Sequence, residues 1–161
     1  MSTFTHVDPQ GGVQMVDVSS KPDSVRTAVA VGRVHLGPDA YAQVSENTVR
    51  KGDVLAIAQF AGITGAKETS RLIPLCHQVT LSGIDVELSL DEGLSSVEVR
   101  AYTKSVGPTG VEMEALTAVS IACLTIYDMC KSITKEIVIQ DIHLLAKTGG
   151  HSGDYRKPEA E

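Results

Sequence analysis

Along this chain the spacing of apolar residues switches between two and the helical three-to-four, and each switch marks an element. Val29, Val31, Val34 and Leu36 stand in a β-branched run that predicts a strand over Arg26 to Leu36, and Gly37-Pro38-Asp39 then breaks it. After Lys51-Gly52, Asp53 suits a helix N-cap. Leu55, Ala56, Phe60, Ile63, Lys67 and Arg71 follow at helical spacing, so a helix is expected to about Leu72, where Pro74 must end it. Ile84, Val86, Leu88 and Leu90 recur at period two. Asp91-Glu92-Gly93 reads as a turn, and Val97, Val99 and Ala101 alternate with Glu98, Arg100 and Tyr102, giving two antiparallel strands. Gly107-Pro108-Thr109-Gly110 is a second breaker, a long apolar helix runs on to Lys131, and Glu136 to Leu145 reads as a last strand.

Strand, helix, strand, strand, helix, strand is the order of an α+β, ferredoxin-like βαββαβ fold, with both helices on one face of an antiparallel sheet. Val31, Val86 and Val99 are expected on the other face, too apolar for water, so association between subunits is expected too. At 161 residues the chain reads as one domain with one compact core. The ends, residues 1–23 and 148–161, read as flexible.

The second helix is the most informative segment. No charge interrupts Ala115 to Tyr127, yet Glu112 and Glu114 precede the run and Asp128 and Lys131 follow it. At about 100° per residue, Glu114, Thr117, Ser120, Asp128 and Lys131 share one stripe about 120° wide. A core helix whose polar stripe meets water accounts for this, with an Asp128–Lys131 pair contributing about 0.2–0.5 kcal/mol. The sharper reading is a stripe lining a shared cavity, because a surface helix normally carries many more Lys and Glu. The apolar run is short of the ~20 residues that a bilayer requires.

Composition narrows the function. Aromatics at 4% with no Trp leave little to stack on nucleic-acid bases, and a formal charge of -6 opposes nonspecific binding to nucleic acid or an anionic membrane. Three cysteines, Cys76, Cys123 and Cys130, make no C-x-x-C pair, which fits a reducing cytoplasm rather than a disulfide framework or cysteine-rich zinc site. The first dozen residues show no secretory signal. Five histidines without ligand spacing give no metal site.

His77, in Leu75-Cys76-His77 just after Pro74, is expected on a loop, where binding residues concentrate; a histidine held by backbone contacts is the plainer alternative. Lys51, Lys67, Arg71, Lys131 and Lys147 lie at element ends or on a helix face, where convergence would suit a phosphate-rich substrate, although for any one of them an ordinary solvated cation is the plainer reading. Lys147 precedes a glycine-rich turn whose amides suit an oxyanion. Gly62-Ile-Thr-Gly-Ala-Lys67 lacks phosphate-loop spacing and is rejected. Asp128 with Lys131 is the best proton-transfer pair, since desolvation lowers a lysine pKa and a neighbouring acid opposes the shift.

Met15-Val-Asp-Val-Ser19, Lys51-Gly-Asp-Val-Leu55, Leu72-Ile-Pro-Leu-Cys-His77, Thr109-Gly-Val-Glu-Met-Glu-Ala-Leu-Thr117 and Ile126-Tyr-Asp-Met-Cys-Lys131 closely resemble the cyclic pyranopterin monophosphate synthase family of molybdenum cofactor biosynthesis. The resemblance spans about Gly12 to Gly153. It implies a lyase that converts 3′,8-cyclo-7,8-dihydroguanosine 5′-triphosphate to cyclic pyranopterin monophosphate and pyrophosphate. It also implies a ferredoxin-like homohexamer, a trimer of dimers, with sites between subunits. Carried onto matching positions, Asp128, Lys131 and Lys51 would be catalytic, and Leu75, Cys76, His77, Met113 and Glu114 would contact substrate, with Glu112, Arg26, Lys67 and Lys147 as further members. No cofactor is implied, and Mg²⁺ arriving with the triphosphate is left open. One departure stands at Gly149-Gly150-His151-Ser152-Gly153, where the family pattern carries lysine in place of His151. Thr64-Gly65 departs as well, the glycine costing about 1 kcal/mol mid-helix. The rival from another class is a non-catalytic oligomeric interaction module, which predicts scattered rather than clustered acids and bases.

Overall fold

A computed structural model describes residues 11–158. The strands are β1 (Ser24–His35), β2 (Leu81–Asp91), β3 (Ser96–Gly107), β4 (Val138–Thr148) and β5 (Tyr155–Arg156). The helices are α1 (Pro38–Ser45), α2 (Val54–Lys67), α3 (Thr69–Leu72) and α4 (Glu112–Cys130). The sheet order is β2-β3-β1-β4-β5 with every pairing antiparallel. Its first four strands and the helices α2 and α4 make the ferredoxin-like βαββαβ arrangement.

β1 is central and nearly all its inward residues are small. Ala28, Ala30 and Gly32 bring α4 close to the sheet: a Cβ at Gly32 would stand 2.7 Å from Val119 Cγ1. The same economy joins the helices. Gly62 packs against Ala118 and Ala122, and a Cβ at Gly65 would lie 2.7 Å from Ile121 Cγ1. This explains the glycine that looked misplaced in mid-helix: its lost propensity is exchanged for a close helix–helix contact. By length and composition α4 would suit a bilayer span, but ten of its residues are buried, including Ala115, Ala118, Ala122 and Ile126.

Three expectations need correction. Val31, Val86 and Val99 do not share a face, because Val31 pairs with Arg100 whereas Val99 pairs with Gly32, placing Val86 and Val99 in the helix-covered core. The outer face instead carries Val29, Val31, Glu87, Arg100 and Tyr102 among its residues. Gly37-Pro38-Asp39 is no simple breaker: Pro38 opens α1, since a first-turn residue needs no amide donor. The expected single helix to Leu72 is interrupted at Glu68 (ψ 2°), where the Thr69 hydroxyl donates to Ala66 O at 2.9 Å. Asp53 does cap α2, accepting from the Ala56 amide at 3.0 Å. Beyond β4, Gly149 and Gly150 take positive φ and the chain returns as β5 beside Ala146 and Lys147. The expectation of flexible ends concerns residues that, over 1–10 and 159–161, lie outside those described, as does His6.

Candidate active site

The N-terminus of α4 faces a cavity of about 420 Å³. Pro74 stops the preceding helix, so Leu75, Cys76 and His77 follow as irregular chain and form one wall, with Met113 beside them. Arg26 enters from β1 and donates from Nε to Gly107 O at 3.2 Å and from Nη2 to Pro108 O at 3.0 Å. The breaker between β3 and α4 is thus pinned, with Arg26 at the cavity. Lys147, from β4, donates to Glu112 Oε1 at 2.7 Å, and both side chains are about three-quarters buried. Gly110 leaves room for this, since a Cβ there would collide with the Glu112 carboxylate.

Glu114 is 3% exposed. Burial pushes its carboxyl pKa up, a backbone hydrogen bond opposes the shift, and the like charge of Glu112 adds to it. The Cys76 thiol is likewise raised, mainly by burial and then by Glu114 and Glu112. Acids and cations therefore share one concave surface, Glu112 and Glu114 with Arg26, Lys147 and Lys21. The acids suit a ring bearing N–H donors, and the cations suit phosphate oxygens.

A second cluster lies at the opposite end of α4. Lys51 Nζ donates to Asp128 Oδ2 at 2.8 Å and to Asp128 O at 2.7 Å, while Lys131 Nζ meets Asp128 Oδ1 at 2.6 Å. All three side chains are exposed. Hydrogen bonds from Lys131 and then Lys51 hold the Asp128 carboxyl down to about 2, and Asp128 raises Lys131 in turn. Where the sequence left burial and the acid in competition over Lys131, the acid prevails.

The sequence-derived residues thus divide. Arg26, Leu75, Cys76, His77, Glu112, Met113, Glu114 and Lys147 line the cavity. Lys51, Asp128 and Lys131 come together elsewhere, and Lys67, exposed at the end of α2, is not part of the cavity wall. Glu114 and Asp128 are about 14 residues apart, or about 21 Å along the helix. The polar stripe is not one lining: Thr117 is buried, and Ser120 donates back to Leu116 O at 2.8 Å.

A model of the MoaC family matches residues 15–150. The chain is 62% identical over 155 residues to the cyclic pyranopterin monophosphate synthase of Salinibacter ruber, covering 96% of this chain and 91% of that protein. It belongs to the MoaC family. The synthase of the same name from Heliobacterium modesticaldum is 55% identical over 159 residues, covering 99% of this chain and all of that one. Human molybdenum cofactor biosynthesis protein 1 is 52% identical over 154 residues, which is 96% of this chain but 24% of the human protein. Both clusters fall inside the stretch matched to the MoaC family.

Sequence reasoning missed Lys21, Thr27, Thr109 and Ser152, which also line the cavity. Lys21 went unseen because the segment before Ser24 carries no periodic pattern. Its one signal was position, two residues beyond the Met15–Ser19 block.

Proposed function

We propose that this chain is a cyclic pyranopterin monophosphate synthase, a lyase of molybdenum cofactor biosynthesis acting on 3′,8-cyclo-7,8-dihydroguanosine 5′-triphosphate. The observation that carries the reading is 62% identity, across nearly the whole chain, to a protein of that name. Supporting it, the cavity matches the substrate's two chemistries, with carboxylates for ring N–H groups and cations for the triphosphate.

Glu114 or Glu112 accepts hydrogen bonds from the guanine-derived ring, and Leu75, Cys76, His77 and Met113 wall it. Arg26 and Lys147 hold the phosphate oxygens. Ring opening and rearrangement need proton donors and acceptors, and Lys131 and Lys51 serve, with Asp128 orienting both. Closure of the cyclic phosphate on the α-phosphorus expels pyrophosphate, whose charge the same cations stabilise. Lys67, away from the cavity, is assigned no contact. The reaction as proposed needs no resident cofactor, and any Mg²⁺ enters with the triphosphate.

The two clusters sit too far apart for one small substrate to span. The active site is therefore composed of the cavity of one subunit and the Lys51–Asp128–Lys131 cluster of another, within a homohexamer built as a trimer of dimers. Exposed Ile57, Phe60 and Leu124 on the outer sides of α2 and α4 supply apolar surface for such assembly. A cytoplasmic location belongs to the same proposal, supported by three free thiols. Incubating the purified protein with the cyclic dihydroguanosine triphosphate and analysing by mass should reveal the cyclic monophosphate and pyrophosphate. A folded oligomer that leaves the substrate intact would overturn the reading.

A further inference from the structure

The exposed ammonium of Lys51 depends for its place on the backbone beneath it. Its side chain is 43% exposed, so packing does little to fix it, yet Nζ donates to the Asp128 carboxylate at 2.8 Å and to the Asp128 main-chain carbonyl at 2.7 Å. That carbonyl belongs to the last turn of α4, one of the acceptors that a helix end leaves unpaired. Two anchors bracket Lys51. Before it, Val49 is buried and its carbonyl accepts from the Gly52 amide at 2.9 Å, closing a tight turn with Lys51 at its third position. After it, Asp53 caps α2, whose Gly62 and Gly65 lie against α4 at Ala118, Ile121 and Ala122 and so bring the start of α2 to the end of α4. Gly52 is the joint between the turn and the cap, and its φ of 107° lies in a region that only glycine enters at low cost. A Cβ there would meet nothing closer than Ile57 Cδ1 at 3.9 Å, so the demand for glycine comes from the dihedral angle and not from crowding.

We propose that Gly52 is the positioning residue of the lysine cluster, the left-handed joint that lets one turn and one helix cap hold Lys51 Nζ on both Asp128 oxygens. An L-residue at this joint, driven toward negative φ, swings Lys51 relative to α2 and separates Nζ from the end of α4. Lys131 needs no such joint, because it follows Asp128 three residues later at the end of the same helix. Of the two lysines, Lys51 is therefore the one whose place is set by a loop. The kinetic consequence rests on the enzymatic reading above; the structural one does not.

The test compares Gly52→Ala and Gly52→Asn with wild type by two measurements on the assembled protein. The first is the rate at which N-hydroxysuccinimidyl acetate acetylates Lys51, read by peptide mass analysis with the exposed Lys135 as internal reference. Release from Asp128 should speed acetylation of Lys51 by about twofold to fivefold in Gly52→Ala, the range of an exposed ion pair, and leave Lys135 unchanged. The second is turnover of the cyclic dihydroguanosine triphosphate. In Gly52→Ala kcat should fall about tenfold to a hundredfold, as for a misplaced catalytic group, with KM within about threefold of wild type. Gly52→Asn should lie between the two, since asparagine tolerates positive φ better than alanine, whereas a penalty for bulk would order them the other way. In a Lys51→Ala background, Gly52→Ala should cost no further kcat. Unchanged acetylation and kcat in Gly52→Ala would overturn the proposal, as would a further loss of kcat on Lys51→Ala or an asparagine variant poorer than the alanine one. Where Gly52→Ala fails to assemble, the same two readings on Gly52→Asn decide. A wild-type oligomer that leaves the substrate intact, while Lys51 acetylation still responds to Gly52, would overturn the enzymatic reading and leave the positioning role standing, so the failures separate.

Discussion

Lys51 grips Asp128 twice, through the carboxylate at 2.8 Å and the main-chain carbonyl at 2.7 Å, while Lys131 takes the other carboxylate oxygen at 2.6 Å. One acid thus orders two lysines and keeps Lys131 protonated, which suits it to give a proton. Replacing Lys131 by Ala is expected to lower kcat by about 10²- to 10⁴-fold, the usual contribution of a positioned acid or base. The oligomer should survive, since the side chain is half exposed and takes no part in the core. Steady-state turnover with size-exclusion chromatography measures both, and near-wild-type kcat would remove Lys131 from the chemistry.

A second experiment concerns the distance between the clusters. Lys131→Ala and Arg26→Ala subunits, each inactive alone, are co-expressed with different tags and the mixed oligomer is purified. If a site takes Lys131 from one subunit and Arg26 from its neighbour, each mixed pair regenerates one intact site, and random assembly returns about a quarter of wild-type activity. If one chain supplied both residues, mixing would restore nothing.

The order of the main elements was legible in the sequence because period-two strands and chain breakers are local signals, and about half of the cavity lining was legible, mostly through blocks that resemble the family. The separation of the Lys51–Asp128–Lys131 cluster from Glu114 was legible too, since the rise of a helix alone puts them about 21 Å apart. Two things were not. The phase of β3 against β1 is a tertiary fact, so Val99 was placed on the wrong face. Lys21 lies in a segment ordered by the His77 ring and by turn bonds rather than by periodicity, leaving the pattern nothing to report.

Close packing of α2 on α4 gives a third prediction. Gly65→Ala should gain about 1 kcal/mol of helix propensity but force a methyl group against Ile121, where overpacking costs about 1–3 kcal/mol. A net loss of stability is expected, read as a lower Tm. Gly93→Ala, whose new methyl would come no nearer than 3.6 Å to Asp91 Oδ1, serves as the control and should leave Tm nearly unchanged. A Gly65→Ala protein more stable than wild type would show that the helices separate at little cost.

Glu114 supplies a pH dependence whose sign is fixed by its environment. Its folded pKa is raised above the ordinary 4.5, so the folded state holds this proton more tightly than the unfolded chain does. The associated stability is complete below pH 4.5 and is lost as pH rises through the folded value, because the buried carboxyl must then ionise beside Glu112. Glu114→Gln keeps the shape and cannot ionise. Its stability relative to wild type should be level below pH 4.5, climb as pH rises through the folded pKa and level off again, as urea unfolding from pH 4 to 8 would measure. Cys76 should report the same event independently: its thiol is raised in part by Glu114, so iodoacetamide should alkylate Cys76 faster in Glu114→Gln at pH 8. A relative stability that stayed flat across this range, with unchanged Cys76 alkylation, would mean that Glu114 is as well solvated as a surface carboxylate and sits elsewhere than in the cavity wall.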